Sequence, residues 1–250
     1  MTAAQAVQAL AWLAEMGADE IVSETAIDRF QEPAASLLSS WPWIDVRGRD
    51  DATKADSCET LDDITAALSI LDACPLKKTA TNLCFSDGNP QAHVMLIGEA
   101  PGRDEDLQGK PFVGRSGQLL DLMLAAIGLS RQALEPERSV FITNTVFWRP
   151  PGNRTPTAAE TEMCLPFLLR AIELTRPRAI VCLGATPAHR LTGRSEGILK
   201  LRGKWLNCTL GERDIPLLPT LHPAYLLRQP GQKRLAWRDL LLLRQALDQE

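Results

Sequence analysis

The sequence predicts an α/β domain: a three-layer sandwich with a central, mostly parallel four-stranded sheet flanked by helices, preceded by a helical or irregular N-terminal extension. Three observations lead there. From about residue 73 onward, short apolar runs alternate with amphipathic segments, the pattern of strands interleaved with helices. Clusters rich in glycine, asparagine or histidine follow directly after those runs, where a parallel sheet gathers its ligand crevice. The 250 residues, 45% hydrophobic and 23% charged, can build a sizeable core, and the composition excludes disordered, collagen-like and coiled-coil classes.

Taken in order, residues 2–17 place Ala3, Val7, Leu10, Trp12, Leu13 and Met16 at near-helical spacing, with Gly17 as a stop. Residues 32–58 hold Pro33, a Ser-rich stretch, Trp41-Pro42-Trp43 and a charged run, with no sustained period, and read as a linker. Residues 1–58 are therefore expected to be an acidic helix and linker, and residues 59–250 the α/β domain. Thr60 is a plausible N-cap for a helix running to about Asp72, with Asp62 and Asp63 in its first turn. Strands are expected at His93–Ile97, Val140–Thr143, Ala179–Leu183 and Ile215–Thr220. Helices are expected at Gly117–Ile127, Ala158–Thr175, Gly184–Leu191 and Arg234–Leu247.

The net charge of −4 averages over an uneven chain. Residues 1–72 hold 4 Lys/Arg against 14 Asp/Glu, net −10, and residues 73–250 hold 23 against 17, net +6. The body is thus compatible with a phosphate-backbone partner. No apolar run is long enough for a membrane span and no secretory signal opens the chain, so a cytoplasmic protein without a membrane partner is expected. Six cysteines are spread without any C-x-x-C, which suits free thiols in a reducing compartment.

Three clusters could carry chemistry. The first runs from Gly98-Glu99-Ala100-Pro101-Gly102 through Glu105 to Gly109-Lys110-Pro111-Phe112-Val113-Gly114. Its glycines allow close backbone approach to a ligand, but its spacing fits neither a Walker loop nor a dinucleotide fingerprint, and a solvated acidic loop is the plain alternative. The second is Ile142-Thr143-Asn144 with Arg149-Pro150-Pro151-Gly152-Asn153-Arg154; Asn144 could present an amide to a base edge or simply form a turn. The third is Leu221-His222-Pro223-Ala224-Tyr225-Leu226-Leu227-Arg228, where an imidazole could donate to a developing oxyanion or merely pack at a strand end.

In their order and residues, these clusters resemble the motifs of the family 4 uracil-DNA glycosylases over roughly residues 73–250. The resemblance implies hydrolysis of the N-glycosidic bond of deoxyuridine flipped out of single- or double-stranded DNA, by a monomer without a lyase step. It implies that Phe112 stacks on uracil, that Asn144 pairs with its O4 and N3–H edge, and that Glu105, or the backbone around Ala100 and Gly102, crowds C5 against thymine. His222 becomes the donor to O2, shared with the Ala100 N–H, and Glu99 and Asn153 are both candidates to orient the water. Leu226, Leu227 and Arg228 would wedge the duplex and hold a phosphate; the basic run Lys200, Arg202 and Lys204 reads first as solvated surface and then as a second strip of backbone contacts. The rival from another class is a module that binds uracil or abasic DNA without cleaving it, or an accessory domain of a replication protein.

The family holds a four-iron cluster on four cysteines. Here Cys74 and Cys164 stand at two of those positions, but Leu71 and Trp148 occupy the others, and no cofactor is expected. The alternative is a [4Fe-4S] cluster with non-standard ligands such as Cys58 or Cys84. If no cluster forms, Leu71 and Trp148 are expected to fill its volume with apolar packing.

Overall fold

The computed structural model describes residues 54–211 and 213–249. The helix read at 2–17 and most of the 32–58 linker lie outside the described residues. At the linker's end Ala55 and Cys58 are buried, and the Cys58 carbonyl accepts a 2.7 Å hydrogen bond from Arg170 Nε.

The parallel centre of the sheet is built from β2 (Val94–Gly98), β3 (Val140–Asn144), β4 (Ala179–Leu183) and β6 (Arg213–Thr220), the four strands expected from the sequence. The pairing extends beyond them. β1 (Ser86–Gly88) and β5 (Leu206–Leu210) add antiparallel edges, giving six strands in the order β1-β3-β2-β4-β6-β5. The central strands are apolar because both faces are covered. Alternate residues serve opposite cores: Met95, Ile97, Ile180 and Cys182 join one, while Val94, Leu96, Val181 and Leu183 join the other.

Eight helices among the described residues cover these faces. They are α1 (Leu61–Ser69), α2 (Arg103–Gln108), α3 (Arg115–Ala125), α4 (Ala158–Thr175), α5 (Ala185–Thr192), α6 (Ile198–Leu201), α7 (Pro223–Arg228) and α8 (Lys233–Asp248). Thr60 caps α1 as expected: its Oγ1 accepts from the Asp63 N–H at 3.1 Å while Asp63 returns a carboxylate to the Thr60 N–H at 2.9 Å. The helix ends at Ser69, short of Asp72. Among the described residues no helix is long and apolar enough to cross a membrane.

The connections set the position of a crevice. From β2 the chain steps to β3 on one side and then to β4 on the other, so loops leaving β2 and β4 diverge at their carboxyl ends. Gly98 and Asn144 are direct partners across β2 and β3, and Leu183 and Thr220 are partners across β4 and β6. Every expected cluster therefore opens onto the same edge.

Candidate active site

Asn144 ends β3 with 1% of its surface exposed, and neither its Oδ1 nor its Nδ2 finds a hydrogen-bond partner. A buried amide left so costs roughly 1–3 kcal/mol unless a ligand completes it. Gly98 makes room for it: a Cβ there would lie 2.4 Å from Asn144 Oδ1 and 2.5 Å from the Phe112 ring. The next residues are stitched to β3's exit, with Gly98 O accepting from Thr145 N at 2.9 Å and Glu99 O from Thr145 Oγ1 at 2.6 Å. The Ala100 N–H has no partner among the described residues.

Phe112 is buried, with its ring centroid 5.5 Å from that of His222. Its backbone is left-handed, φ 54°, a strained state for an aromatic residue. Arg131 holds it there: Nη2 donates to the Phe112 carbonyl at 2.9 Å and Nη1 to the Pro111 carbonyl at 3.0 Å. The same guanidinium is pinned by Asp121 at 2.8 Å and by Asp87 on β1 at 3.1 Å. Sequence reasoning missed Arg131. Its targets are backbone carbonyls and two distant acids, which leave no local motif.

His222 follows β6 and caps α7. Its Nδ1 accepts from the Ala224 N–H at 3.1 Å, so in the neutral ring the proton must sit on Nε2. Burial, helped by nearby Arg228, pushes its pKa down to about 4. The ring is therefore a neutral Nε2–H donor at ordinary pH. Glu99 is half-buried, and its Oε2 accepts from Thr186 Oγ1 on α5 at 2.8 Å.

Several expected roles change. Asn153 is exposed and its Oδ1 is taken by Arg149 Nε at 2.7 Å, so the structure does not bring it into this pocket. Glu105 is buried, but its carboxylate accepts from the N–H groups of Gly102 at 3.2 Å, Val113 at 3.0 Å and Gly114 at 2.9 Å. It binds the two arms of the first cluster together instead of crowding a base. The segment expected as loop there contains α2. Leu226 is 1% exposed, packed with Leu221 and Ala236, and cannot wedge DNA; Leu227 is 38% exposed and Arg228 is on the surface. Arg202 is bound to buried Asp239 and to the Leu235 carbonyl at 2.7 Å, a structural role, while Lys200 and Lys204 stay exposed.

Cys74 and Cys164 lie side by side, fully buried. The interaction between the two thiols holds Cys74 below its ordinary range and pushes Cys164 above it. Leu71 and Trp148, each 3% exposed, pack in the same apolar cluster. Cys58 donates its thiol to the Lys54 carbonyl, and Cys84 donates to that of Glu105. Among the described residues no group of three or more metal-ligating side chains converges. This donor set does not fit a four-iron cluster. The loop from Arg149 to Arg154 is held by other means: Arg154 forks onto Glu160 at 2.8 and 2.6 Å, and Trp148 anchors its entry.

Asn144, Phe112 and His222 thus gather at the carboxyl ends of the strands, where β2 and β4 diverge, and the sequence comparison gives the class: a model of the uracil DNA glycosylase superfamily matches residues 85–241. The chain belongs to that superfamily, within its type-4 branch. It is 41% identical over 176 residues to the type-4 uracil-DNA glycosylase of Archaeoglobus fulgidus, covering 69% of this chain and 85% of that protein. It is 37% identical over 185 residues to the type-4 uracil-DNA glycosylase of Thermotoga maritima, covering 73% and 92%. To the type-4 enzyme of Pyrobaculum aerophilum it is 39% identical over 175 residues, covering 68% and 86%.

Proposed function

We propose that this protein is a DNA-repair hydrolase that removes uracil from DNA and leaves an abasic site. The observation that carries the reading is the buried Asn144 amide with both polar atoms unpartnered, lying beside Phe112 and the neutral His222. A uracil ring offers what that pocket needs: an O4 acceptor and N3–H donor for the amide, and a flat face for the aromatic ring. A base inside a duplex cannot reach this pocket, so the nucleotide must be flipped, with Leu227 filling the gap and Arg228 holding a phosphate.

As the N1–C1′ bond breaks, its electron pair passes into the uracil and charge grows on O2. The His222 Nε2–H and the Ala100 N–H meet that charge, and a fixed donor contributes more there than in the ground state. Glu99, oriented by Thr186, takes a proton from the water that bonds to C1′, and the uracil anion is protonated from solvent. No step needs an iron–sulfur cluster.

Uracil release from an oligonucleotide tests the reading, with His222→Ala and Asn144→Ala beside the wild type. Each variant is expected to lose on the order of 10²–10³-fold in rate, the scale of one oxyanion donor or one base-reading contact. Binding without any abasic product would favour the non-cleaving module instead.

A further inference from the structure

We propose that the N-terminal half of α8, with the apolar groove between it and α3, is a second DNA-contact site: a strip of phosphate contacts beside a seat for one unstacked base of a single strand. The proposal rests on the glycosylase reading for its partner, and on α8 for its location.

The helix presents Lys233, Arg234, Trp237, Arg238 and Leu241 outward while Ala236, Asp239, Leu240 and Leu243 face the core. Lys233, Arg234 and Arg238 have no hydrogen-bond or ion-pair partner among the described residues. The one acid among them, Asp239, is turned inward and neutralised by Arg202. With Arg228, four exposed cations fall between residues 228 and 238, at the end of α7 and the start of α8. Their placement opposes helix stability. Lys233 and Arg234 occupy the positive end of the helix dipole, no acid stands in the first turn, and Gln232 supplies no side-chain cap. Arg234 and Arg238 repel each other one turn apart. A polyanion relieves all of these penalties together, and such local conflicts concentrate at functional surfaces.

The groove adds a second, independent feature. It encloses about 230 Å³ and is lined by Leu119, Leu122 and Met123 of α3, Leu226 of α7, and Trp237 and Leu240 of α8. Leu122 is 70% exposed and Trp237 42%. Its wall begins at Leu226, whose neighbour Leu227 is the exposed residue at the wedge position. A nucleobase stacked on the Trp237 indole would bury its apolar face in the groove and leave its phosphate toward Lys233. Stacking of this kind tolerates any base.

Fluorescence anisotropy with a labelled single-stranded oligonucleotide provides the test. Lys233→Gln/Arg234→Gln/Arg238→Gln is expected to lower the salt slope of log affinity by about 2, since each single-strand phosphate contact contributes about 0.7, and to weaken binding by on the order of tenfold at ~0.1 M salt. Its melting temperature should equal or exceed the wild type's, because the charge penalties are gone. Trp237→Ala should weaken single-strand binding more than blunt-duplex binding while leaving the slope unchanged. An unchanged slope in a triple variant that melts normally overturns the proposal and leaves the groove to an acidic peptide partner. Loss of slope in the variant with no uracil release by the wild type sinks the glycosylase reading but keeps the DNA strip.

Discussion

At the residue scale, the pocket depends on two side chains whose state is set by backbone. His222 is neutral because its Nδ1 already accepts the Ala224 N–H and because its ring is desolvated. Its folded pKa of about 4 lies below the ordinary histidine value of 6.5, so protonation of the ring is postponed to more acid conditions. Uracil release, measured under single turnover, is expected to hold its rate down to about pH 5, with an acid limb near 4. A limb near 6.5 that His222→Gln abolishes would refute this. The same shift lowers stability between pH 6.5 and 4, where the unfolded chain takes up a proton that the folded chain refuses. Arg131 governs the other partner. Arg131→Gln removes the clamp on the Pro111 and Phe112 carbonyls and is expected to raise KM more than it lowers kcat, by roughly tenfold, as the strained Phe112 backbone relaxes away from the base. Equal loss in both with an unfolded spectrum would mean that Arg131 only holds the fold.

At the scale of elements, the Arg149–Arg154 loop hangs between Trp148 and α4. Glu160 caps α4 with Thr157 and receives Arg154, and the Arg154 guanidinium holds its carboxyl down to about 2 against an ordinary 4.5. That stabilisation is complete above pH 4.5 and is lost as pH falls through 2, roughly 1–3 kcal/mol in all. Glu160→Gln should therefore melt lower at pH 7 and show a flatter acid-unfolding curve than wild type. Trp148→Ala should cost about 3–5 kcal/mol by cavity formation and depress activity with it, as read from chemical denaturation. What the sequence revealed follows the same physics. The parallel strands were legible because both faces are buried and the runs are apolar throughout. β5, Leu206–Leu210, alternates exposed and buried residues, and β1 has three residues, so neither left a run to find. In Leu226-Leu227 nothing local distinguishes the residue facing in from the one facing out; α3 and α8 decide that.

For the whole molecule, residues 1–53 carry net −6, from 9 Asp/Glu and 3 Lys/Arg, and the rest of the chain carries net +2. Removing residues 1–53 is expected to raise DNA affinity several-fold at low salt and hardly at all at high salt, because net negative charge repels phosphates only within a screening length of about 10 Å at 0.1 M. Titration of both forms across salt checks it; an equal gain at every salt concentration would assign the effect to something other than charge. The motif order singled out Asn144, Phe112 and His222 from the chain alone, whereas the tie between Arg202 and Asp239 and the clamp by Arg131 join residues distant in sequence and emerged only in three dimensions. Leu71 and Trp148 lie in the same apolar cluster as Cys74 and Cys164, so this part of the core is closed by side-chain packing, and its stability is expected to stay the same when iron is withheld during expression.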